Sequence, residues 1–297
     1  MNGLIALIFA TAFLLPAQQP SRTTYPPKME GAKVETYKTV GGVELKLYVF
    51  ESPNLTAGEK RPAIVFFFGG GWQGGTPEQF ERHCRYFASR GMVAITADYR
   101  VASRHASKAS DSVRDAKSAI RWVRKNAARL SIDPARIAAG GGSAGGHLAA
   151  ATGVIRGLDE PEEDLSVSSR PNALVLFNPV LVLVPTPGVD MPLLKAPVLQ
   201  GVDLAAISPF HHVEKGAPPT IIFHGKADVT VPYNTAELFA KKMAELGNRC
   251  ELIGFDGEGH GFFNYGRKGN ESYTATVNQA DAFLKSLGYV SGNPTLR

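Results

Sequence analysis

Two cysteines in 297 residues cannot supply a disulfide framework. Cys84 falls in an expected helix and Cys250 at the start of a late expected strand. Nothing local pairs them, so two unlinked, partly buried thiols are expected. No Cys/His group has metal-ligand spacing, so no metal is expected. The sequence also lacks the Lys-Ser/Thr ending of a phosphate loop and the G-x-G-x-x-G order of a dinucleotide site, so no cofactor is expected. The net charge of +5 comes from dispersed basic residues without aromatic platforms, which argues against a nucleic-acid partner. The basic residues gather only at Arg114, Lys117, Arg121, Arg124 and Arg129. They run beside an apolar stripe of Val113, Ala116, Ile120, Val123, Ala127 and Leu130, the pattern of an amphipathic helix with a solvated basic flank.

Charged side chains are missing altogether from residues 1–19. Residues 4–15 form an apolar run of about 12, too short to span a bilayer but suited to the apolar region of a leader peptide. Cleavage is expected after Ala17, giving a secreted or periplasmic protein with no membrane attachment in its mature form. No cysteine follows the run, which argues against a lipid anchor. The expected organisation is therefore a signal peptide at 1–17, a linker at 18–30 and one catalytic domain at 31–290.

What is present is an alternation of strands and helices. Residues 33–40 and 43–50 read as strands joined at Gly41-Gly42, a hairpin signal. Continuous apolar strands follow at 63–68, 92–98, 136–139, 173–177, 220–224 and 249–255. Helices are expected between them at 77–90, 109–130, 144–154 and 234–247, with a last one at 272–287. Residues 180–210 break the rhythm with Pro185, Pro187, Pro192, Pro197 and Pro209, and read as an irregular insertion over one end of the sheet. The fold class is α/β: a mostly parallel sheet with an N-terminal antiparallel hairpin and helices on both faces.

The sharpest local signal is Gly141-Gly142-Ser143-Ala144-Gly145-Gly146, between a short strand and an Ala-rich helix. In that context a G-x-S-x-G pattern is a strained strand-to-helix turn that holds its serine at the tip. The helix behind it aims amides and dipole at the same spot. A serine hydroxyl needs a base to become a nucleophile. Of seven histidines, His260 in Glu258-Gly259-His260-Gly261-Phe262 sits in a glycine-flanked loop after a strand and follows Ser143 in the required order. His224 reads as packed within a strand end, and His147 points along the helix that follows Ser143. Asp228 leaves the strand at 220–224 on the carboxyl side of the sheet and is the expected acid. Asp256 and Asp203 are less well placed. A capping role for Asp228 ahead of the next helix is the plain alternative. Gly69-Gly70-Gly71-Trp72 directly follows the strand at 63–68. The amides of Gly70, Gly71 and Ala144 are the expected oxyanion donors. Trp72 is a candidate for the acyl pocket, with simple packing as the alternative.

These motifs, in this order from residue 33 to residue 287, resemble the α/β-hydrolases of the hormone-sensitive-lipase-like and feruloyl/acetyl-xylan-esterase-like groups. The resemblance is also carried by Asp98-Tyr99-Arg100 and by Ile132-Asp133-Pro134-Ala135-Arg136-Ile137. It implies a serine carboxylesterase acting on short acyl esters, possible carbohydrate esters included, without metal or cofactor. It also implies that Asp98 and Arg100 are structural. Where family members often carry histidine before the three glycines, this chain has Phe68. The hairpin in place of a helical cap is closer to the carbohydrate-esterase branch. A prolyl-oligopeptidase-like peptidase shares the elbow, but no propeller-sized segment precedes residue 33. A non-catalytic binding protein would normally have lost a member of the Ser143, Asp228 and His260 set.

Overall fold

The computed structural model describes residues 25–53, 56 and 58–296. The expected leader and most of the linker lie outside these residues.

Strands β1 (Lys33–Val40) and β2 (Val43–Phe50) form the antiparallel hairpin. Its turn is Gly41-Gly42, both at positive φ, which glycine adopts without steric cost. Then come β3 (Arg61–Phe67), helix α1 (Glu81–Ser89), β4 (Val93–Ala97), the single-turn α2 (Ala102–His105) and α3 (Ala109–Lys125). The chain continues through β5 (Ile132–Gly142), α4 (Ala144–Val154), β6 (Ala173–Phe177), β7 (Thr220–Gly225), α5 (Tyr233–Glu245), β8 (Cys250–Phe255) and α6 (Glu271–Ser286).

The eight strands form one sheet in the order β1-β2-β4-β3-β5-β6-β7-β8. β2 pairs antiparallel with β4, and every later pairing is parallel. Side chains alternate across the sheet with the two-residue period of a strand. On β3, Ala63, Val65 and Phe67 join a core with α3, α4 and α5, while Ile64 and Phe66 join another with α1 and α6. Burial on both faces explains the unbroken apolar runs. β3 lies between β4 and β5, so the chain reverses its direction of travel there, where ligands bind in open α/β sheets.

Some boundaries differ from the sequence expectation. α3 ends at Lys125, because Ser131 at positive φ and the Ile132 amide bonded to Ala127 turn the chain into β5. β5 extends to Gly142, so the elbow is tighter than expected. The basic flank of α3 is not solvated throughout. Lys117 and Arg121 are buried beneath residues 155–170, where Lys117 pairs with Asp159 and Arg121 with Asp159 and Glu163. Lys117 also donates to the carbonyl of Ile155, and Arg121 to that of Val167. Segment 180–210 carries single 3-10 turns at Pro192–Lys195, Pro197–Leu199 and Pro209–His212. Its Val180, Leu181, Leu183, Val198 and Ile207 are buried in the α3–α5 core. Cys84 is buried and Cys250 half-buried, and both are free. Burial pushes the Cys250 thiol up to about 12. Among the described residues, no helix is long and apolar enough to cross a membrane.

Candidate active site

Ser143 is the single residue between β5 and α4. Its backbone, at φ 55° and ψ −120°, lies where non-glycine residues are rarely found. Close neighbours hold it there. Its amide donates to the carbonyl of Phe177 at 2.9 Å, and its carbonyl accepts the amide of His147, also at 2.9 Å. The turn admits no side chain at Gly145, where a Cβ would sit 2.0 Å from the carbonyl oxygen of Phe67. Glycine here is a packing requirement of the elbow.

The ends of neighbouring parallel strands deliver the other groups. Asp228 follows β7 and His260 follows β8. Their loops are tied by the amide of Ala227 donating to the carbonyl of Glu258 at 3.0 Å. The imidazole of His260 spans the gap: Nδ1 lies 2.7 Å from Asp228 Oδ2, and Nε2 lies 2.9 Å from Ser143 Oγ. The carboxylate can only accept, so Nδ1 carries the proton and Nε2 is free to accept from the serine hydroxyl. Asp228 divides its oxygens. Oδ1 accepts the amides of Thr230 and Val231 at 2.8 and 2.9 Å, leaving Oδ2 for the histidine. Asp228 thus orders its own loop and meets the histidine with one side chain, and it does not cap α5, whose N-cap is Pro232. Burial disfavours its charge, but hydrogen bonds from His224, His260 and the Val231 amide outweigh that and hold the carboxyl well below the usual carboxylate range.

The other acids do not reach His260. Asp256 is exposed and pairs with Lys226 at 2.8 Å, and Asp203 accepts the amides of Ala205 and Ala206. His224 lies beneath the site, 2.8 Å from the carbonyl of Val231 and 3.4 Å from Asp228 Oδ2. Asp98 and Arg100 take structural partners. Asp98 accepts from Tyr25 and the Tyr99 amide, and Arg100 pairs with Asp115 at 2.8 Å.

The loop after β3 runs alongside the elbow. A Cβ on Gly69 would be 3.4 Å from Ser143 Cβ. The carbonyl of Gly70 closes a turn by accepting from Gln73 and Gly74, yet the amides of Gly70 and Gly71 donate to no protein acceptor among the described residues. The amide of Ala144 is the first of α4 and has no intrahelical partner. Phe68, in the place of a histidine, stacks on Tyr99 at 4.1 Å, and the Tyr99 hydroxyl donates to its carbonyl at 2.7 Å. Trp72 is fully buried, as the packing alternative has it. Its indole N–H donates to His147 Nδ1 at 3.3 Å, and its backbone is left-handed at φ 57°. His147 Nε2–H in turn donates to the carbonyl of Ile207 at 2.6 Å.

Two contacts had no sequence signal. Asn178, after β6, accepts the amide of Gly261. Gln79 accepts the amide of Gly69. Both join segments far apart in the chain. Among the described residues, no group of three His, Cys, Asp or Glu side chains is placed to hold a metal ion.

The BD-FAE family model matches residues 50–243, a stretch holding Ser143 and Asp228 and ending before His260. A structure of Thermogutta terrifontis esterase 2 phosphoramylated by tabun is 53% identical, covers 91% of this chain and 100% of that one, and superposes with a TM-score of 0.86. The same esterase with propionate bound is 52% identical, covers 91% of this chain and 99% of that one, and gives 0.86. Esterase LipC of Mycobacterium tuberculosis is 29% identical over 215 residues, which are 68% of this chain and 53% of that protein. The chain thus spans about half the length of the curated relatives it matches. With the sheet order, the elbow and these matches in agreement, the chain belongs to the BD-FAE family of α/β-hydrolase esterases.

Proposed function

We propose that the protein hydrolyses short-acyl carboxylic esters through an acyl-enzyme on Ser143. The observation that carries this reading is the unbroken array from Ser143 Oγ through His260 to Asp228, beside a loop whose Gly70 and Gly71 amides have no acceptor among the described residues. As Ser143 Oγ attacks the ester carbonyl carbon, its proton passes to His260 Nε2. Asp228 stabilises the imidazolium and holds its orientation. The carbonyl oxygen becomes an oxyanion that accepts from Gly70, Gly71 and Ala144. One such donor is typically worth about 10²–10³ in rate. The alcohol leaves with the proton from His260, and water then attacks the acyl-enzyme by the same route.

Short acyl groups are supported by the related esterase, whose structures hold propionate and butyrate. We include acetyl and feruloyl esters of carbohydrates in the substrate class. The test is a p-nitrophenyl ester series of rising acyl length, run beside acetylated and feruloylated oligosaccharides, on wild type and Ser143→Ala. Hydrolysis that peaks at short acyl chains and vanishes in Ser143→Ala supports the reading. Equal rates in both proteins overturn it. The uncharged opening stretch supports an exported enzyme. N-terminal sequencing of protein recovered outside the cytoplasm is expected to begin at Gln18, and recovery only from the cytoplasm with residue 1 intact contradicts export.

A further inference from the structure

One hydrogen-bonded chain joins the two loops that the proposed chemistry uses at the same instant. It begins at the amide of Gly69, which donates to Gln79 Oε1 at 2.6 Å. Gln79 Nε2 donates to Asn264 Oδ1 at 2.9 Å, and Asn264 Nδ2 donates to the carbonyl of Gly261 at 2.8 Å. Gly69 directly precedes the oxyanion amides, and Gly261 directly follows His260. We propose that Gln79 and Asn264 are positioning residues for ester hydrolysis: a two-amide bridge that fixes the spacing between the oxyanion loop and the histidine loop. This rests on the ester-hydrolase reading above.

The ends of the chain fix its direction. A backbone N–H can only donate, so Gln79 must present its oxygen to Gly69 and its NH₂ outward. A backbone carbonyl can only accept, so Asn264 must present its NH₂ to Gly261 and its oxygen to Gln79. Only a primary amide at both positions satisfies all three junctions. A carboxylate at either position breaks one of them. Gln79 is itself anchored: the hydroxyl of Thr96 on β4 donates to the carbonyl of Pro77 at 2.9 Å, and Phe80 stacks on Phe66. The other end is anchored by Asn178 on the Gly261 amide. Each loop is thus tied to the sheet, and the bridge ties the loops to each other.

The tetrahedral intermediate needs its oxyanion in the Gly70–Gly71 hole while its oxygen from Ser143 faces His260. Moving one loop relative to the other spoils both contacts together, and displacements near 1 Å can cost about 10²-fold in rate. Neither bridge residue is fully buried, so substitution removes little packing.

The experiment compares wild type, Gln79→Glu, Asn264→Asp and the double variant on p-nitrophenyl butyrate, with melting temperatures measured alongside. Each single variant is expected to lower kcat by about 10-fold or more, with little change in KM or melting temperature. The double variant, built as Gln79→Met with Asn264→Asp so that two carboxylates do not face each other, is expected to lose no more than the worse single one, because one broken junction already disconnects the loops. A protonated Asp at 264 regains an O–H donor for Gly261, so the ratio of Asn264→Asp to wild-type kcat should rise as the pH is lowered. Gln79→Met serves as a shape-preserving second variant if Gln79→Glu does not fold. Wild-type kcat in the single variants, losses that multiply in the double variant, or a pH-independent ratio overturns the bridge. An inactive wild type, or an active Ser143→Ala, instead overturns the ester-hydrolase reading.

Discussion

The side-chain oxygen of Asn178 accepts the amide of Gly261 at 2.9 Å, joining the carboxyl end of β6 to the loop that carries His260. Asn178 is fully buried at a positive φ of 33°, and its backbone N–H donates to the carbonyl of Phe223 at 2.7 Å. Asn178→Ala would leave the buried Gly261 amide without an acceptor, at a cost of about 1–3 kcal/mol. Thermal unfolding should register that loss, and kcat should fall more than KM because the imidazole loses its support. Unchanged stability and kcat would contradict this role.

Two glycines of the site should respond differently to alanine. At Gly145 the added methyl meets the carbonyl oxygens of Phe67 and Phe68 at 2.0 and 2.4 Å, and both are backbone atoms that cannot move alone. Gly145→Ala is expected to abolish activity and to lower soluble yield. At Gly71 the methyl meets nothing within 4 Å among the described residues, and the left-handed φ of 61° is what opposes it. That strain is worth about 1–2 kcal/mol. Circular dichroism and yield should separate the two variants clearly, and equal tolerance would contradict the packing argument.

His83 is buried among Phe66, Phe80, Phe177 and Tyr273, and among the described residues neither ring nitrogen has a hydrogen-bond partner. Burial lowers its pKa from 6.5 to about 3, so the folded protein holds it neutral. Between those values the unfolded chain binds the extra proton. The stability is therefore fully present above 6.5 and is lost as the pH falls toward 3. His147, lowered to about 4 by burial, acts in the same direction. His83→Leu removes a proton-binding site from the unfolded chain and an unpartnered polar group from the core. Its melting temperature should exceed wild type, by more at pH 5 than at pH 8. A gain that is equal at the two pH values would contradict the linkage.

Asp228 and Asp256 both precede His260 in sequence and differ in reach. Asp228→Asn is expected to lower kcat by about 10⁴-fold, because the amide no longer enforces the proton on Nδ1. Asp256→Asn breaks only a solvent-screened surface pair with Lys226 and should leave kcat at the wild-type level. Steady-state kinetics of the two variants check this, and comparable losses in both would contradict the assignment.

Much of the fold was legible because local signals agreed. Gly41-Gly42 marked a hairpin whose strands match the expected bounds, and the helix behind Ser143 spans residues 144–154 as expected. Ser143, Asp228 and His260 could be picked out because each stands at a strand's carboxyl end in a glycine-bearing loop. The contacts around them were not legible. Gln79 meets Asn264 across 185 residues, and Asn178 meets Gly261 across 83. Periodicity and turn chemistry describe only near neighbours, so an ordinary Asn or Gln gives no sign of a distant partner. The choice between pocket and packing for Trp72 was open for a related reason: the sequence does not reveal that His147 accepts its N–H. The burial of Lys117 and Arg121 depends likewise on acids at 159 and 163, supplied by a segment with no regular structure.

The most direct test of the central claim is the site of covalent labelling by a fluorophosphonate probe, read by mass spectrometry of the folded protein. A single adduct on the peptide containing Ser143 is predicted, absent in Ser143→Ala and greatly slowed in His260→Ala. Labelling elsewhere, or labelling of Ser143 at the same rate without His260, would contradict it.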